Sequence, residues 1–218
     1  AIKGSFKDTR PDNLAAEVIK AVMAQVPDLD PAKVEDLVLG CAMPEGPQGL
    51  NVARLAGLLA GLPHEVPGMT INRFCSSGSQ SVAIVADRIA TGGIDVGLAG
   101  GTESMSMVPM GGNTPSASPE LMEVAPEAYI SMGATAENVA RQFEVDRETQ
   151  DRFALESHRR AVEAWEKGKL AEEVVAINTT VQTPGGPKEI TVTRDEGPRP
   201  GSTYEALAKL RPVFDPTG

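Results

Sequence analysis

Cys75 is the residue of this sequence best placed to act as a nucleophile. It follows the run Met69-Thr70-Ile71-Asn72, which predicts a strand, and precedes Ser76-Ser77-Gly78-Ser79, where a helix is expected to begin. The free N–H groups and the dipole of a helix start favour a thiolate, the reactive form of cysteine. A second interpretation stays open here: free cysteines are mostly buried, and Cys75 would then be a small apolar packing residue.

Other side chains with catalytic potential stand in less favourable surroundings. Cys41 follows Gly40 at the end of a predicted strand and is interpreted as packing. His64 lies in a proline-flanked loop and His158 on an amphipathic helix, so both are expected at the surface or partly packed. The spacing of Cys, His and Gly residues matches no zinc site, dinucleotide turn or phosphate loop. We therefore expect no metal site.

The composition narrows the class of protein. The chain has 218 residues, of which 41% are hydrophobic, and this is enough for a core. Its formal charge of −10 argues against a nucleic-acid partner, and its two cysteines form no disulfide framework. We expect neither a membrane partner nor a membrane span. The start shows no targeting segment, which favours a cytoplasmic location, but it looks truncated and leaves mitochondrial and peroxisomal locations open.

Strands and helices alternate over the first hundred residues. Predicted helices span 11–26, 51–62 and 79–91, and predicted strands span 36–41, 69–72 and 95–99. Core-facing positions are expected at Leu14, Val18, Val22 and Val26 in the first helix and at Val82, Ala83, Ala86, Ile89 and Ala90 in the third. This alternation predicts an α/β fold with a parallel or mixed sheet covered on both faces.

From residue 113 onward the pattern changes to loops, helices and a hairpin. A first helix is expected to be capped by Thr135 and a second to span 146–167. Their inward residues are predicted to be Val139, Ala140 and Phe143, and then Phe153, Ser157, Ala161 and Trp165. The turn Pro184-Gly185-Gly186-Pro187 predicts a hairpin. We predict a core domain over residues 1–112 and an appended subdomain over residues 113–218.

Two segments resemble motifs of the thiolase family. The run Asn72-Arg73-Phe74-Cys75-Ser76-Ser77-Gly78-Ser79-Gln80 is similar to the family's nucleophile motif, and Ala99-Gly100-Gly101-Thr102-Glu103-Ser104-Met105-Ser106 resembles its Gly-Gly-x-Glu-Ser-Met-Ser segment. The resemblance continues through residues 129–138 and Lys209-Leu210-Arg211-Pro212, and it covers essentially the whole chain. It implies the N-terminal half of a thiolase-like layered fold, an α/β/α core with an inserted loop subdomain over the coenzyme A (CoA) site.

The resemblance also implies an activity in fatty acid metabolism. A thiolase cleaves 3-ketoacyl-CoA into acetyl-CoA and a shortened acyl-CoA, or runs the reverse Claisen condensation, by ping-pong acyl transfer. Cys75 would form the acyl-thioester and its backbone N–H would be part of the oxyanion hole. Met132 would line the pantetheine channel and Arg199 would contact the nucleotide end of CoA. CoA is a substrate, no cofactor is tightly bound, and a homodimer or homotetramer is expected. Ser131, where biosynthetic enzymes often carry His, favours 3-ketoacyl-CoA.

Three thiolase motifs are missing from this sequence. They are the Gly-His-Pro base, the Cys-x-Gly acid/base and the Asn-Glu-Ala water site, which the family carries in its second half. We therefore expect the sequence to be an incomplete piece of a longer thiolase, whose C-terminal half is required for activity. A noncatalytic acyl-CoA or lipid-binding module on the same scaffold is the alternative. A decarboxylative condensing enzyme is disfavoured by the thiolase-like segment that contains Glu103.

Overall fold

The computed structural model describes residues 4–217, and the centre of their fold is a three-stranded parallel sheet in the order β2-β1-β3. The strands are β1 (Asp36–Gly40), β2 (Gly68–Ile71) and β3 (Gly97–Gly101). Val38 of β1 pairs with Met69 of β2 on one side and with Ala99 of β3 on the other. Every residue of β1 is buried, as expected for a central parallel strand that is covered on both faces.

Three helices cover the two faces of this sheet. On one face, α1 (Pro11–Ala24) and α2 (Val52–Leu59) pack with Leu37 and Leu39 of β1 in the larger hydrophobic core. On the other face, α3 (Ser77–Ala90) packs through Val85 against Val38. Successive strand residues point to opposite faces, which explains how β1 supplies both cores. The predicted α/β class with a parallel sheet is confirmed.

Two of the predicted helix faces are wrong. In α1 the buried apolar residues after its first turn are Ala15, Ala16 and Ile19, whereas Leu14, Val18 and Val22 border an open apolar groove of ≈ 390 Å³ beside β3. In α3 the buried residues are Ser77, Ser81 and Val85, and the predicted inward residue Val82 is 55% exposed.

Strand glycines explain which face of α3 is buried. A Cβ at Gly97 would lie 2.8 Å from Cγ1 of Val85, and one at Gly40 would lie 2.5 Å from the backbone of Ser77. The helix therefore approaches the strands closely at Gly40 and Gly97, and between these points Val85 packs against Val38.

The chain divides into two compact units by its internal contacts. The first unit takes the described residues through Pro115 together with Val175–Arg194, and the second takes Ser116–Val174 and the described residues from Asp195. The predicted hairpin is confirmed as β4 (Ile177–Thr183) and β5 (Gly186–Val192). It groups with the first unit, where the carboxylate of Asp8 accepts the N–H of Gln182 at 2.7 Å. The domain boundary proposed after residue 112 stays a prediction.

The second unit is helical over much of its length. Its helices are α4 (Pro119–Val124), α5 (Met132–Gln142), α6 (Arg147–Glu166) and α7 (Tyr204–Ala208). Ser131, not Thr135, caps α5, because its hydroxyl accepts the N–H of Ala134 at 3.2 Å. The predicted inward positions Phe143 and Phe153 are exposed. Among residues 4–217, no helix is both long and apolar enough to cross a membrane.

Candidate active site

The turn between β2 and α3 presents Cys75. Residues Phe74–Ser76 form a single turn of 3₁₀ helix, and Phe74 has a φ of 47°, in the left-handed region that bulky residues rarely adopt. Two side chains hold this conformation. Asn72 Oδ1 accepts the N–H of Phe74 at 2.8 Å. The hydroxyl of buried Ser77 accepts the N–H of Arg73 at 2.8 Å and donates to the O of Phe74 at 2.6 Å.

Cys75 is exposed at the carboxyl edge of the sheet. Its turn follows β2, and Gly40 and Gly101, the last residues of β1 and β3, lie beside the start of α3. Open parallel sheets bind ligands at this edge, because the loops after the strands meet there. Exposure excludes the interpretation of Cys75 as a buried packing residue. The structure therefore leaves its sulfur accessible on a turn that hydrogen bonds fix.

A loop after β1, residues 41–48, lies next to this turn and was not singled out by the sequence. We call it the β1 loop. The O of Ala42 accepts Nδ2 of Asn72 at 2.9 Å, and the N–H of Ala42 donates to Oε2 of Glu103 at 2.5 Å. Fully buried Gln48 donates to the O of Met43 at 2.8 Å and also to Glu103. The only sequence signal was the position of Glu103 in a family-like motif.

Cys41 differs from Cys75 in both exposure and acidity. It is buried, and burial raises the pKa of its thiol to about 11, with the neighbouring Glu103 carboxylate adding to the effect. Cys41 is therefore a neutral thiol at physiological pH. Its interpretation as a packing residue is confirmed.

The two histidines also lie where the sequence placed them. His64 is exposed, and its Nε2 lies 3.1 Å from a carboxylate oxygen of Glu65. His158 is partly buried on α6, where its Nδ1 accepts the N–H of Arg199 at 3.2 Å. Both are thus surface or partly packed residues. Within residues 4–217 no three His, Cys, Asp or Glu side chains are grouped closely enough to hold a metal ion.

Met132 and Arg199 both belong to the second unit, whereas Cys75 belongs to the first. Met132 is the first residue of α5; it is 61% exposed and borders an open apolar concavity of ≈ 450 Å³ together with Val139 and Val145. Arg199 is exposed in the chain between β5 and α7. The contacts that the resemblance implies for these two residues stay predictions.

Comparison with known proteins gives matches along the whole chain. The family model described as "Thiolase, N-terminal domain" matches residues 1–218. The 3-ketoacyl-CoA thiolase of Bacillus subtilis is 45% identical over 100% of this chain and 57% of its own length. The peroxisomal 3-ketoacyl-CoA thiolase of Homo sapiens is 45% identical over 99% of this chain and 51% of its own length.

A solved structure has the same fold. The crystal structure of the Bacillus anthracis acetyl-CoA acetyltransferase matches with a TM-score of 0.80 and 35% identity, over 97% of this chain and 55% of that one. The described chain thus spans about half the length of the relatives that it matches.

Proposed function

Since this chain belongs to the thiolase family, as the sequence predicted, we propose that it carries the nucleophile of an acyl-CoA acyltransferase, and that this nucleophile is Cys75. The observation that carries the proposal is the exposed Cys75, held on a hydrogen-bonded turn at the carboxyl edge of a parallel sheet. Cys41, the other thiol of the chain, is buried and neutral. Cys75 is therefore the thiol that a substrate can reach.

The proposed reaction is thiolytic cleavage of a 3-ketoacyl-CoA. The Cys75 thiolate attacks the 3-keto carbon, the bond between C2 and C3 breaks, and acetyl-CoA leaves after its carbanion takes a proton. The acyl-thioester on Cys75 is then attacked by the thiol of a second CoA, and the bond to the Cys75 sulfur breaks. The reverse sequence is a Claisen condensation. The acid and base groups are expected from the Gly-His-Pro and Cys-x-Gly motifs of the family's second half.

The oxyanion formed in both steps needs hydrogen-bond donors that are already in place. We propose the backbone N–H of Cys75 as one of them, because the 3₁₀ turn at the start of α3 holds this peptide in a fixed conformation. Phe74, the residue directly before Cys75, has a left-handed backbone conformation, and this conformation sets the orientation of the peptide that carries the N–H of Cys75.

We propose CoA thioesters as the substrates. The relatives are named 3-ketoacyl-CoA thiolase and acetyl-CoA acetyltransferase. Met132 would contact the pantetheine arm through an exposed apolar side chain, and the planar cation of Arg199 suits the nucleotide end. Ser131, which caps α5, favours a 3-ketoacyl substrate by resemblance. A homodimer or homotetramer without a tightly bound cofactor is part of the proposal, and the cytoplasmic location stays a prediction.

The two cysteines provide the experiment and its matched control. In the natural full-length protein, Cys75→Ser is expected to lower the kcat of thiolysis by about 10³-fold or more, because a hydroxyl is a far weaker nucleophile at neutral pH. Cys41→Ala is expected to keep acyl transfer. Mass spectrometry after incubation with acetyl-CoA should place one acetyl group on Cys75. CoA binding without any acylation of Cys75 would instead favour the noncatalytic acyl-CoA or lipid-binding module.

A further inference from the structure

We propose that Glu103 is a positioning residue for Cys75: its carboxylate holds the β1 loop, and this loop holds the turn that presents the nucleophile. The inference rests on the proposed function, because the position of Cys75 matters for catalysis only if Cys75 forms the acyl-thioester. Two sets of hydrogen bonds carry it, one between Glu103 and the β1 loop and one between that loop and the turn.

The first set joins Glu103 to both ends of the β1 loop. Oε2 accepts the N–H of Ala42 at 2.5 Å, and Oε1 accepts the N–H of Met43 at 3.3 Å. Nε2 of Gln48, at the far end of the loop, donates to the same Oε1. Gln48 is fully buried, and its Oε1 accepts the N–H of Ser104 at 2.8 Å. The carboxylate thus joins the two ends of the loop, and Gln48 adds a bond within the loop to the O of Met43 at 2.8 Å.

The second set joins the β1 loop to the turn of Cys75. The N–H of Ala42 donates a hydrogen bond to Glu103. The O of Ala42 accepts a hydrogen bond from Nδ2 of Asn72, at an N···O distance of 2.9 Å. The other side-chain atom of Asn72, Oδ1, accepts the N–H of Phe74 at 2.8 Å. Phe74 keeps its left-handed conformation only if its surroundings hold it. Displacement of Ala42 therefore displaces the support of the residue directly before Cys75.

A carboxylate is needed at position 103 because the groups around it are donors. Two backbone N–H groups and the amide of Gln48 converge on it, and Sγ of Cys41 lies 3.9 Å from Oε1. A carboxylate accepts at both oxygens, whereas a glutamine presents an NH₂ group at one of them. The Glu103→Gln substitution keeps the size of the side chain. It places the NH₂ group of the new amide, a donor, opposite a group of the loop that is also a donor. At least one loop N–H then loses its acceptor.

Glu35 offers a matched control at the opposite edge of the sheet. Its Oε2 accepts the N–H of Asp95 at 2.5 Å and that of Val96 at 3.3 Å. These are the same kind of bonds, at the same lengths, as those of Glu103. Glu35 precedes β1 and its partners precede β3, so they lie at the amino ends of the strands, away from Cys75. A glutamine could keep both of these bonds, because one oxygen accepts both N–H groups, so the control variant is Glu35→Ala. It removes both bonds without touching the β1 loop.

The test compares Glu103→Gln and Glu35→Ala in the natural full-length protein. The readouts are kcat and KM for CoA in thiolysis, the pH profile of Cys75 alkylation by iodoacetamide, and thermal unfolding. For Glu103→Gln we expect kcat to fall by about 10-fold to 100-fold, the range that a displacement near 1 Å produces, with a changed alkylation profile and an unchanged KM. Glu35→Ala should lower the unfolding temperature at least as much and leave kcat and alkylation unchanged. Equal effects of the two variants on kcat and alkylation would overturn the proposal.

Asn72→Ala supplies a second variant in case Glu103→Gln fails to fold. If Glu103 and Asn72 both act through Ala42, the kcat of the double variant should equal that of the worse single variant. Independent effects that multiply would refute the proposed linkage.

Cys75→Ser distinguishes a failure of the proposed function from a failure of the proposed role of Glu103. Its continued thiolysis would defeat the proposed function itself. An inactive Cys75→Ser beside a Glu103→Gln that behaves like Glu35→Ala would defeat only the role of Glu103.

Discussion

A methyl group at Gly40 should move the start of α3 and with it Cys75. The Cβ of Gly40→Ala would lie 2.5 Å from the backbone C of Ser77, 2.6 Å from its Cβ and 2.7 Å from the N of Gly78. Ordinary contact begins at 3.4 Å, so the helix start must retreat by roughly 1 Å. Overpacking of this kind costs about 1–3 kcal/mol of unfolding free energy. Because Ser77 is bonded to Phe74 and Arg73, the turn moves with the helix.

The assay for Gly40→Ala combines chemical denaturation with kcat for thiolysis in the full-length protein. A displacement near 1 Å is expected to lower kcat by up to about 100-fold. Gly100→Ala is the control in the neighbouring strand, because its Cβ would meet Cδ2 of Leu39 at 3.4 Å, an ordinary contact. It should leave the unfolding free energy within about 1 kcal/mol of the wild type. If Gly40→Ala matched Gly100→Ala in both measurements, the inferred close packing of α3 on β1 would be wrong.

Two further predictions concern Cys41 and Arg199. An unfolded thiol ionises near pH 9.0, whereas the pKa of folded Cys41 is about 11, so its contribution to stability is complete below pH 9 and lost as the pH rises through 11. The unfolding free energy should therefore fall by about 2–3 kcal/mol over that window in urea titrations, and an equal fall in Cys41→Ala would contradict this. If Arg199 contacts the nucleotide end of CoA as proposed, Arg199→Ala should raise KM for CoA by about tenfold with kcat nearly unchanged, since that end of CoA takes no part in the bond changes. An unchanged KM in steady-state kinetics would show that Arg199 does not contact CoA.

Local signals were sufficient to predict the elements of the core. Proline at the start of α1, the apolar run of β1 and the glycines after α3 mark where helices and strands begin and end. The position of Cys75 between a strand and a helix followed from the same signals. The location of Cys75 could therefore be predicted before any fold was known, whereas its role as a nucleophile stays a prediction.

Helix faces were harder to predict, because which face is buried depends on the strand surface that the helix meets as well as on the spacing of its apolar residues. Val82 and Ile89 have the spacing of a core stripe, yet α3 buries Ser77, Ser81 and Val85 instead. The strands opposite it present glycines, and which helix face would meet them depends on the assembled sheet. The cap of α5 was missed for a simpler reason, since Ser131 and Thr135 are both suitable caps one turn apart.

The glutamate network was out of reach of sequence reasoning. Glu103 contacts Ala42 and Gln48, which are 61 and 55 positions away along the chain. These contacts depend on the path of the β1 loop, and no spacing rule describes that path. The position of Glu103 in a family-like motif was the one sequence signal. The full burial of Gln48, which requires a hydrogen-bond partner, is visible only in the structure.

The carboxylates of Glu35 and Glu103 also hold β3 in register with β1. Its sequence, Gly-Leu-Ala-Gly-Gly, offers few side chains to distinguish the native pairing with β1 from one shifted along the strand, and such strands are prone to slip. Glu35, just before β1, binds the residues that precede β3, and Glu103, just after β3, binds the residues that follow β1. A slipped β3 would break the bonds at both ends at once. The alignment of the carboxyl edge, where Cys75 lies, is thus specified outside the strands, by side chains that bracket them.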